Sequence, residues 1–245
     1  MMCAEEIIRA DWSAPAGIVA GCTTRTGGES LGVYHALNLG AHVGDDPAAV
    51  AANRQAMIDT LSLPAEPVWL NQVHSKMVAV EPSPEMEADA ALTGQAGTVC
   101  VVMVADCLPV LFCSDDGAQV AAAHAGWRGL AAGVLENTIA GFAAAPAELH
   151  AWLGPAISQD AFEVGDEVRE AFLQADVAAG SCFVRNDNDR WQADLYGLAR
   201  RRLALAGVRN VSGGGLCTYG DQERFFSYRR DGQCGRMAAF VYRAP

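Results

Sequence analysis

The sequence predicts an α+β fold in which mixed β-sheets are layered with helices. Strand-like and helix-like segments alternate along the chain, but irregularly, and several strand-like segments follow one another directly. This order argues against a strictly parallel doubly wound sheet. No internal repeat, low-complexity tract or linker divides the 245 residues. We therefore expect one domain that spans residues 1–245.

Composition narrows the classes of function. The formal net charge of −12 argues against nucleic acid as the main partner, because phosphate backbones need a cationic surface. No apolar run reaches the roughly 18 residues that a membrane helix needs, and the acidic start MMCAEEIIRADW lacks the apolar stretch of a secretory signal. We predict a cytoplasmic protein without membrane contact. Its eight cysteines are scattered without a CxxC pair, so most are expected to be buried apolar residues.

The first third of the chain predicts a strand, a long loop, a helix and two short strands. The strand is GIVAGCTT, and the Gly-rich stretch 24–46 has the length and composition of a functional loop. Asp45 or Asp46 is the expected N-cap of a helix over DDPAAVAANRQAMIDTL, with Pro47 in its first turn. The two short strands are PVWL and VHSKMVAV, and the acidic loop EPSPEMEADA follows them.

The stretch from Thr98 to Leu130 organises the predicted site. An apolar strand runs into an abrupt Asp-Cys-Leu-Pro break, a second strand follows, and a Ser-Asp-Asp-Gly turn leads to a third. The third strand brings His124 to a Gly-Trp-Arg-Gly loop. Cys107 and His124 thus stand at the ends of apolar strands, and His74 is expected at a similar strand boundary. Such a scaffold can hold reactive groups still while loops give access to them.

The rest of the chain predicts three helices and four strands. The helices are expected over residues 129–145, 162–175 and 194–206, the last with Asp194 as its N-cap. The strands are LHAWLG, VRNVSGGG, RFFSYRR and RMAAFVYR.

Cys107, His124 and His74 form a candidate zinc site. Thiolate and imidazole suit zinc, and three protein ligands with an open fourth position are the catalytic arrangement, because the open position binds water or polarises a substrate. The ligands lie 33 and 17 residues apart with no short motif joining them. Spacing alone therefore leaves two alternatives. One is a buried structural cysteine with two surface histidines, and the other is a nucleophilic Cys107 with His124 as its base.

Four further side chains are candidates for substrate contact. Arg25, Arg54 and Arg128 are the cations nearest in sequence to this chemistry, and a guanidinium can hold phosphate or carboxylate by its planar fork. An ordinary surface ion pair is the alternative for each. His42 is either an acid/base group or a plain loop histidine. No GxGxxG or GxxxxGK[ST] motif occurs, so a nucleotide cofactor on a standard phosphate loop is not indicated.

The blocks that carry these residues resemble the YfiH family, whose members are described as laccase-domain or polyphenol oxidase proteins and as purine nucleoside phosphorylases. The resemblance runs in order over residues 23–241, nearly the whole chain. Its blocks are NLGAHVGDDPAAVAANR, WLNQVHS, ADA, MVADCLPVLF, AAAHAGWRGL, WLGPAISQDAFEVGDEV and FFSYRRDGQCGRMAAFV. One departure is Cys234, which replaces the family's usual small residue or Thr before GRMA, at a position that the resemblance implies is a wall of the pocket.

The resemblance implies a fold like the catalytic domain of cytotoxic necrotising factor and a zinc ion bound by His74, Cys107 and His124. It also implies that Arg54 lies in the active site. The implied activity is phosphorolysis of adenosine, inosine, guanosine and methylthioadenosine, together with adenosine deamination. Cys107, His74, His124 and Arg54 are then the expected catalytic residues, and Arg54, His42 and Arg128 the expected substrate contacts.

Three other functions stay open at this stage. A cysteine-type hydrolase that edits peptidoglycan precursors would use the same Cys107 and His124. A copper-dependent polyphenol oxidase, or laccase, would need several coppers, and the five histidines of the chain supply such a cluster poorly. A non-enzymatic binding protein would turn over no purine nucleoside. The oligomeric state is not indicated by the sequence.

Overall fold

The computed structural model describes residues 6–81 and 87–245, and two large β-sheets carry its core. The strands are β1 (Ile8–Arg9), β2 (Ile18–Cys22), β3 (Val78–Glu81), β4 (Ala90–Thr93), β5 (Cys100–Val104), β6 (Leu108–Ser114), β7 (Val120–Ala125), β8 (Leu149–Leu153), β9 (Glu163–Val164), β10 (Phe183–Arg185), β11 (Trp191–Ala193), β12 (Asn210–Gly213) and β13 (Met237–Arg243). The helices are α1 (Pro47–Leu61), α2 (Trp127–Ala132), α3 (Val134–Ala140), α4 (Asp166–Leu173), α5 (Leu195–Leu205) and α6 (Tyr228–Asp231).

The two large sheets differ in how their strands run. The smaller has the order β1–β2–β13–β5 and is antiparallel throughout. The larger has the order β12–β8–β6–β7–β4–β3, with parallel pairs at its two edges and antiparallel pairs between them. A small third sheet has the order β10–β11–β9. The mixed larger sheet, the antiparallel sheets and the surrounding helices confirm the predicted α+β fold.

Strand alternation divides the interior into layers. In β6, Val110 and Phe112 belong to an apolar cluster shared with α2 to α5, whereas Leu111 and Cys113 belong to a cluster shared with β2, β5 and β13. Because successive side chains of a strand point to opposite faces, the larger sheet lies between those helices and the smaller sheet. The outer face of the smaller sheet packs against α1 and the long loop through residues such as Phe240 and Met57. The protein is therefore layered helix, sheet, sheet, helix.

Two predicted helix starts are confirmed in detail. The Asp46 side chain accepts a hydrogen bond from the Ala48 N–H at 2.9 Å, and Pro47 opens α1, where the missing N–H costs nothing. Asp194 caps α5 by accepting from the Gly197 N–H at 2.9 Å. The predicted strands that became β2, β5, β6, β7, β8, β12 and β13 also form.

The helix expected over 129–145 is wrong in extent. It is two short helices, because Gly133 adopts φ +97° and ends α2 before α3 begins. The Gly-Trp-Arg-Gly segment is likewise the start of α2 rather than a loop. The helix expected over 162–175 begins only at Asp166, since β9 takes the preceding residues.

Two predicted strands are wrong in type. RFFSYRR places Phe225 and Phe226 in a fully buried irregular segment that leads into α6, so their apolar character reflects core packing rather than a ladder. In PVWL and VHSKMVAV, Val68 makes one isolated bridge and the strand proper begins at Val78. His74 therefore lies in a loop, with φ +60°, and not at a strand boundary.

No helix in residues 6–81 and 87–245 combines the length and the apolar character needed to cross a membrane. Residues 1–5 of the acidic start and residues 82–86 of the predicted acidic loop lie outside the described residues.

Candidate metal centre

Three segments that are distant in sequence bring Cys107, His124 and His74 together. Cys107 occupies the tight turn between β5 and β6, His124 lies near the end of β7, and His74 precedes β3. Pairing of Pro109 with His124 across β6 and β7 places the β5–β6 turn beside the histidine. The Cys107 Sγ lies 3.9 Å from His74 Nε2, and one ligand atom from each of the three residues lies within 4.8 Å of the others. In the described part of the chain, no other three His, Cys, Asp or Glu residues form such a group.

An acidic residue that the site prediction missed, Asp89, lies directly behind this group. It is completely buried, and its Oδ1 lies 2.8 Å from His124 Nδ1. That contact leaves Nε2 of His124 available to the site. The sequence signal was an acidic residue within the otherwise apolar run ADAAL, just before a strand, because a buried carboxylate in such a place needs partners.

The turn that carries Cys107 is fixed by its neighbour Asp106. Asp106 adopts φ +84°, in the left-handed region that costs a non-glycine residue about 1 kcal/mol or more. Its carboxylate accepts hydrogen bonds from Thr218 Oγ1 at 2.6 Å, Ser227 Oγ at 3.0 Å and the Arg229 N–H at 2.7 Å. These hydrogen bonds offset the cost of the strained backbone. They also tie the turn to a distant part of the chain, since Thr218 lies 112 residues after Asp106.

Gly126 leaves room for the site. A Cβ atom at this position would lie 2.9 Å from Cys107 Sγ and 3.0 Å from His74 Cδ2. Gly129 is similarly crowded, since its Cβ would lie 2.8 Å from the Ser75 carbonyl oxygen. The glycines of this segment therefore let α2 approach the loop that carries His74.

The electrostatics of the group favour a thiolate. Burial disfavours charge on Cys107, but the positive charge of His124 and hydrogen bonding with His124 and His74 outweigh it, so the pKa of Cys107 lies below its ordinary value. Burial opposes charge on His124 too, yet the Cys107 thiolate and Asp89 outweigh it and raise the pKa of His124. Burial alone would raise the pKa of Asp89, but hydrogen bonds from His124 and Ser75 outweigh this effect and lower the pKa to about 2.

These donors fit a zinc ion. A thiolate and two imidazoles suit zinc, and they also suit copper(I). In a tetrahedral zinc site a sulfur and a nitrogen ligand lie roughly 3.5 Å apart, close to the 3.9 Å between Cys107 Sγ and His74 Nε2. A metal would also take the place of the proton on His124, since ligands must be deprotonated to bind.

A cavity of about 450 Å³ opens onto the three side chains, a volume typical of small-molecule sites. Among the described residues that line it, Asp106 is the one acidic side chain, and its carboxylate oxygens are engaged by Thr218, Ser227 and Arg229. Three arginines and three aromatic residues line it as well. They are Arg128, Arg229, Arg236, Trp127, Phe162 and Tyr228. The cavity is thus cationic in a protein whose net charge is −12.

The predicted substrate contacts are placed unevenly around this cavity. His42 and Arg128 line it, whereas Arg54 and Arg25 are not among the lining residues. The Arg54 guanidinium stacks on Trp69 at 3.8 Å, its Nε donates to the Leu39 carbonyl at 3.0 Å, and it contacts Met103, which does line the cavity.

Arg25 bonds the carbonyl oxygens of His35 and Gln222 and has a structural role. Cys234 is buried in the core beside Phe226 and Met237, so it is not the pocket wall that the family resemblance implied. Arg229 and Arg236 were missed as cavity residues, since both lie in segments predicted to be strands, RFFSYRR and RMAAFVYR.

Comparison with known proteins gives concordant matches over nearly the full length. The family model described as multi-copper polyphenol oxidoreductase laccase matches residues 19–244. The purine nucleoside phosphorylase YfiH of Escherichia coli is 53% identical over 240 residues, which cover 97% of this chain and 98% of that protein. A purine nucleoside phosphorylase of Pseudomonas aeruginosa is 52% identical, with 95% and 96% covered.

Solved structures agree with these matches. A Neisseria meningitidis protein of the family DUF152 aligns with a TM-score of 0.94 at 48% identity, covering 98% of this chain and all of that one (100%). YlmD from Geobacillus stearothermophilus aligns with a TM-score of 0.92 at 31% identity, with 100% and 98% covered.

Proposed function

We propose that this chain, which belongs to the family described as multi-copper polyphenol oxidoreductase laccase, is a zinc-dependent purine nucleoside phosphorylase. Relatives more than 50% identical to it are named purine nucleoside phosphorylase. The observation that carries the proposal is the Cys/His/His group that opens onto a cationic cavity with aromatic walls. The proposed substrates are phosphate with adenosine, inosine, guanosine or methylthioadenosine, and adenosine deamination is proposed as a second reaction of the same site. The proposed location is the cytoplasm.

The cavity supplies distinct surroundings for the two substrates. Trp127, Phe162 and Tyr228 offer aromatic faces on which a purine can stack. His42 and Arg236 line the cavity, and Arg54 lies behind the lining residue Met103. Burial and then the positive charges of Arg236 and Arg54 lower the pKa of His42. We place phosphate at the His42 end of the cavity, where guanidinium groups can hold its oxygens.

Phosphorolysis then proceeds by direct displacement. A phosphate oxygen forms a bond to C1′ of the ribose as the bond from C1′ to the purine N9 breaks. The purine leaves with the electron pair and takes up the proton that hydrogen phosphate gives up on forming ribose 1-phosphate. Arg54 and Arg236 orient the phosphate, and the aromatic residues hold the base. His74, Cys107 and His124 are proposed to bind zinc, which when bound supplies Lewis acidity beside the substrate.

We favour zinc over a copper cluster because the described residues offer too few ligands for several copper ions. A laccase needs several coppers, each with its own ligands, whereas one group of three donors occurs in the described residues. Of the remaining described histidines, His42 lines the cavity without belonging to the three-residue group, and His150 pairs with Asp115 at 2.6 Å.

A cysteine-type hydrolase acting on peptidoglycan precursors is the second candidate, favoured by one observation. Cys107, His124 and Asp89 have the order of contacts found in a nucleophile–base–carboxylate triad, with a thiol whose pKa is lowered by His124. Elemental analysis of protein purified without added metal separates the candidates. About one zinc per chain supports the phosphorylase, and metal-free protein that hydrolyses such precursors supports the hydrolase.

The central experiment incubates the protein with adenosine and phosphate and follows adenine, inosine and ribose 1-phosphate by chromatography. We expect adenine and ribose 1-phosphate only with phosphate present, and inosine with or without it. Cys107→Ala should abolish metal content and both activities, whereas Cys217→Ala, which changes a half-buried thiol outside the group, should retain them. Full activity in metal-free Cys107→Ala protein would refute the proposal.

A further inference from the structure

Asp89 makes contacts with both histidines of the metal group, although it is not itself part of that group. It lies just before β4, is completely buried, and reaches His124 through its side chain and through its main chain. Its Oδ1 lies 2.8 Å from His124 Nδ1, and its carbonyl oxygen accepts from the His124 N–H at 2.7 Å. The His124 ring is therefore fixed with Nε2 toward the site.

The same carboxylate holds the loop that carries His74. Its two oxygens accept hydrogen bonds from three consecutive backbone N–H groups, those of Val73 at 3.2 Å, His74 at 3.0 Å and Ser75 at 2.6 Å. The Ser75 hydroxyl adds a fourth hydrogen bond at 2.8 Å. In this loop the N–H groups face an anion instead of a neighbouring strand, and His74 adopts φ +60°.

His74 needs such a support more than the other two ligands do. Cys107 and His124 are placed by β6 and β7, which pair through six residue positions, from Leu108 with Ala125 to Cys113 with Val120. His74 has no strand partner, and its residue is exposed. The Asp89 carboxylate joins the backbone of this loop to the ring of His124.

We propose that Asp89 is a positioning residue that sets both imidazole ligands at once, so that one buried carboxylate determines the affinity of the site for its metal. This rests on the proposed metal site and goes beyond it, because it assigns the geometry of two ligands to a residue that binds neither metal nor substrate. Partners that orient metal-bound histidines commonly contribute 10- to 100-fold to metal affinity, in order of magnitude.

The test is Asp89→Asn, which keeps the size of the side chain and removes its charge. Zinc affinity of the full chain is measured by competition with a fluorescent chelator, and cobalt(II) replaces zinc as a spectroscopic probe. We expect zinc affinity to fall about 10- to 100-fold. The cobalt spectrum should keep its thiolate charge-transfer band, from Cys107, while the ligand-field bands weaken as His74 is lost.

Asp115→Asn is the matched control. Asp115 also pairs with a histidine, His150 at 2.6 Å, but at the opposite end of β6 from Cys107. This variant should bind zinc within twofold of the wild type and leave the cobalt spectrum unchanged. A purely structural role for Asp89 would change stability and leave the cobalt ligand-field bands as they are.

Ser75→Ala provides a second variant if Asp89→Asn does not fold, since it removes one donor and leaves the buried charge in place. We expect a loss of about threefold in zinc affinity. Wild-type zinc affinity in whichever variants fold would overturn the proposal. Wild-type protein that takes up no zinc would overturn it together with the proposed metal site. Normal zinc uptake without phosphorolysis would refute only the proposed function.

Discussion

Replacement of Gly126 by alanine tests whether the close approach of α2 controls the metal group. Gly126 has φ −60° and ψ 154°, a conformation that alanine adopts without strain. Any effect must therefore come from the new methyl group. That atom would lie 2.9 Å from Cys107 Sγ, and ordinary contact begins at 3.4 Å, so the thiol must move by 3.4 − 2.9 = 0.5 Å or the helix must retreat.

A displacement of this size is large for a metal ligand and small for the fold. Metal–ligand distances are held to about 0.2 Å, so we expect Gly126→Ala to lower zinc affinity about 10- to 100-fold, or about 1.4–2.7 kcal/mol. Overpacking of a core costs about 1–3 kcal/mol. The lower end applies because Cys107 borders a cavity into which it can move. The metal-free protein should lose only about 2–4 °C in its unfolding temperature.

Chelator competition measures the zinc affinity and calorimetry the unfolding temperature. Gly94→Ala is the control, because its Cβ would meet nothing closer than 3.6 Å and it lies outside the metal group. Zinc affinity and turnover within twofold of the wild type in Gly126→Ala would show that the site tolerates the shift, and the steric reasoning would be wrong.

Three further predictions concern the thiol, the phosphate end and the turn. In metal-free protein near neutral pH, iodoacetamide should alkylate Cys107, whose lowered pKa keeps it a thiolate, and the rate should fall as pH drops below that pKa. Cys113, with a pKa of about 12 because of burial, should not react, and peptide mass spectrometry compares the two. Arg236→Gln should raise the KM for phosphate about tenfold and leave the KM for adenosine unchanged in initial-rate assays; equal changes in both would contradict a phosphate contact. Asp106→Asn weakens three hydrogen bonds, two of them buried, and should lower the free energy of unfolding by about 2–3 kcal/mol in urea titrations; an unchanged free energy of unfolding would contradict this prediction.

The fold was predictable wherever local signals and tertiary context agree. The apolar runs that became β5, β6 and β7 are buried on both faces, and the caps at Asp46 and Asp194 are local chemistry. Prediction failed where contacts between distant parts of the chain determine the backbone conformation. Phe225 and Phe226 lie in a segment of strand-like composition. Both side chains are fully buried in the core, but the segment forms no β-strand.

The metal group could be predicted as residue types, whereas its support could not. Cys107 and His124 stand at strand ends that periodicity can locate. Asp89 acts through the backbone of residues 73–75, a contact between loops that no periodicity encodes. Arg236 reaches the cavity from just before β13, so its position depends on how the smaller sheet is assembled.

The place of β13 has a consequence for biosynthesis. Residues 237–243 lie between β2 and β5 in the smaller sheet, so that sheet stays split until they have been made. The turn that holds Cys107 also waits for Thr218, Ser227 and Arg229. A nascent chain that already contains the three proposed metal ligands thus lacks the contacts that fix the turn carrying Cys107, and long-range pairing of this kind is slow to form. We therefore expect metal loading of the proposed site to be a late event, and ribosome-bound chains ending before residue 218 should not retain zinc.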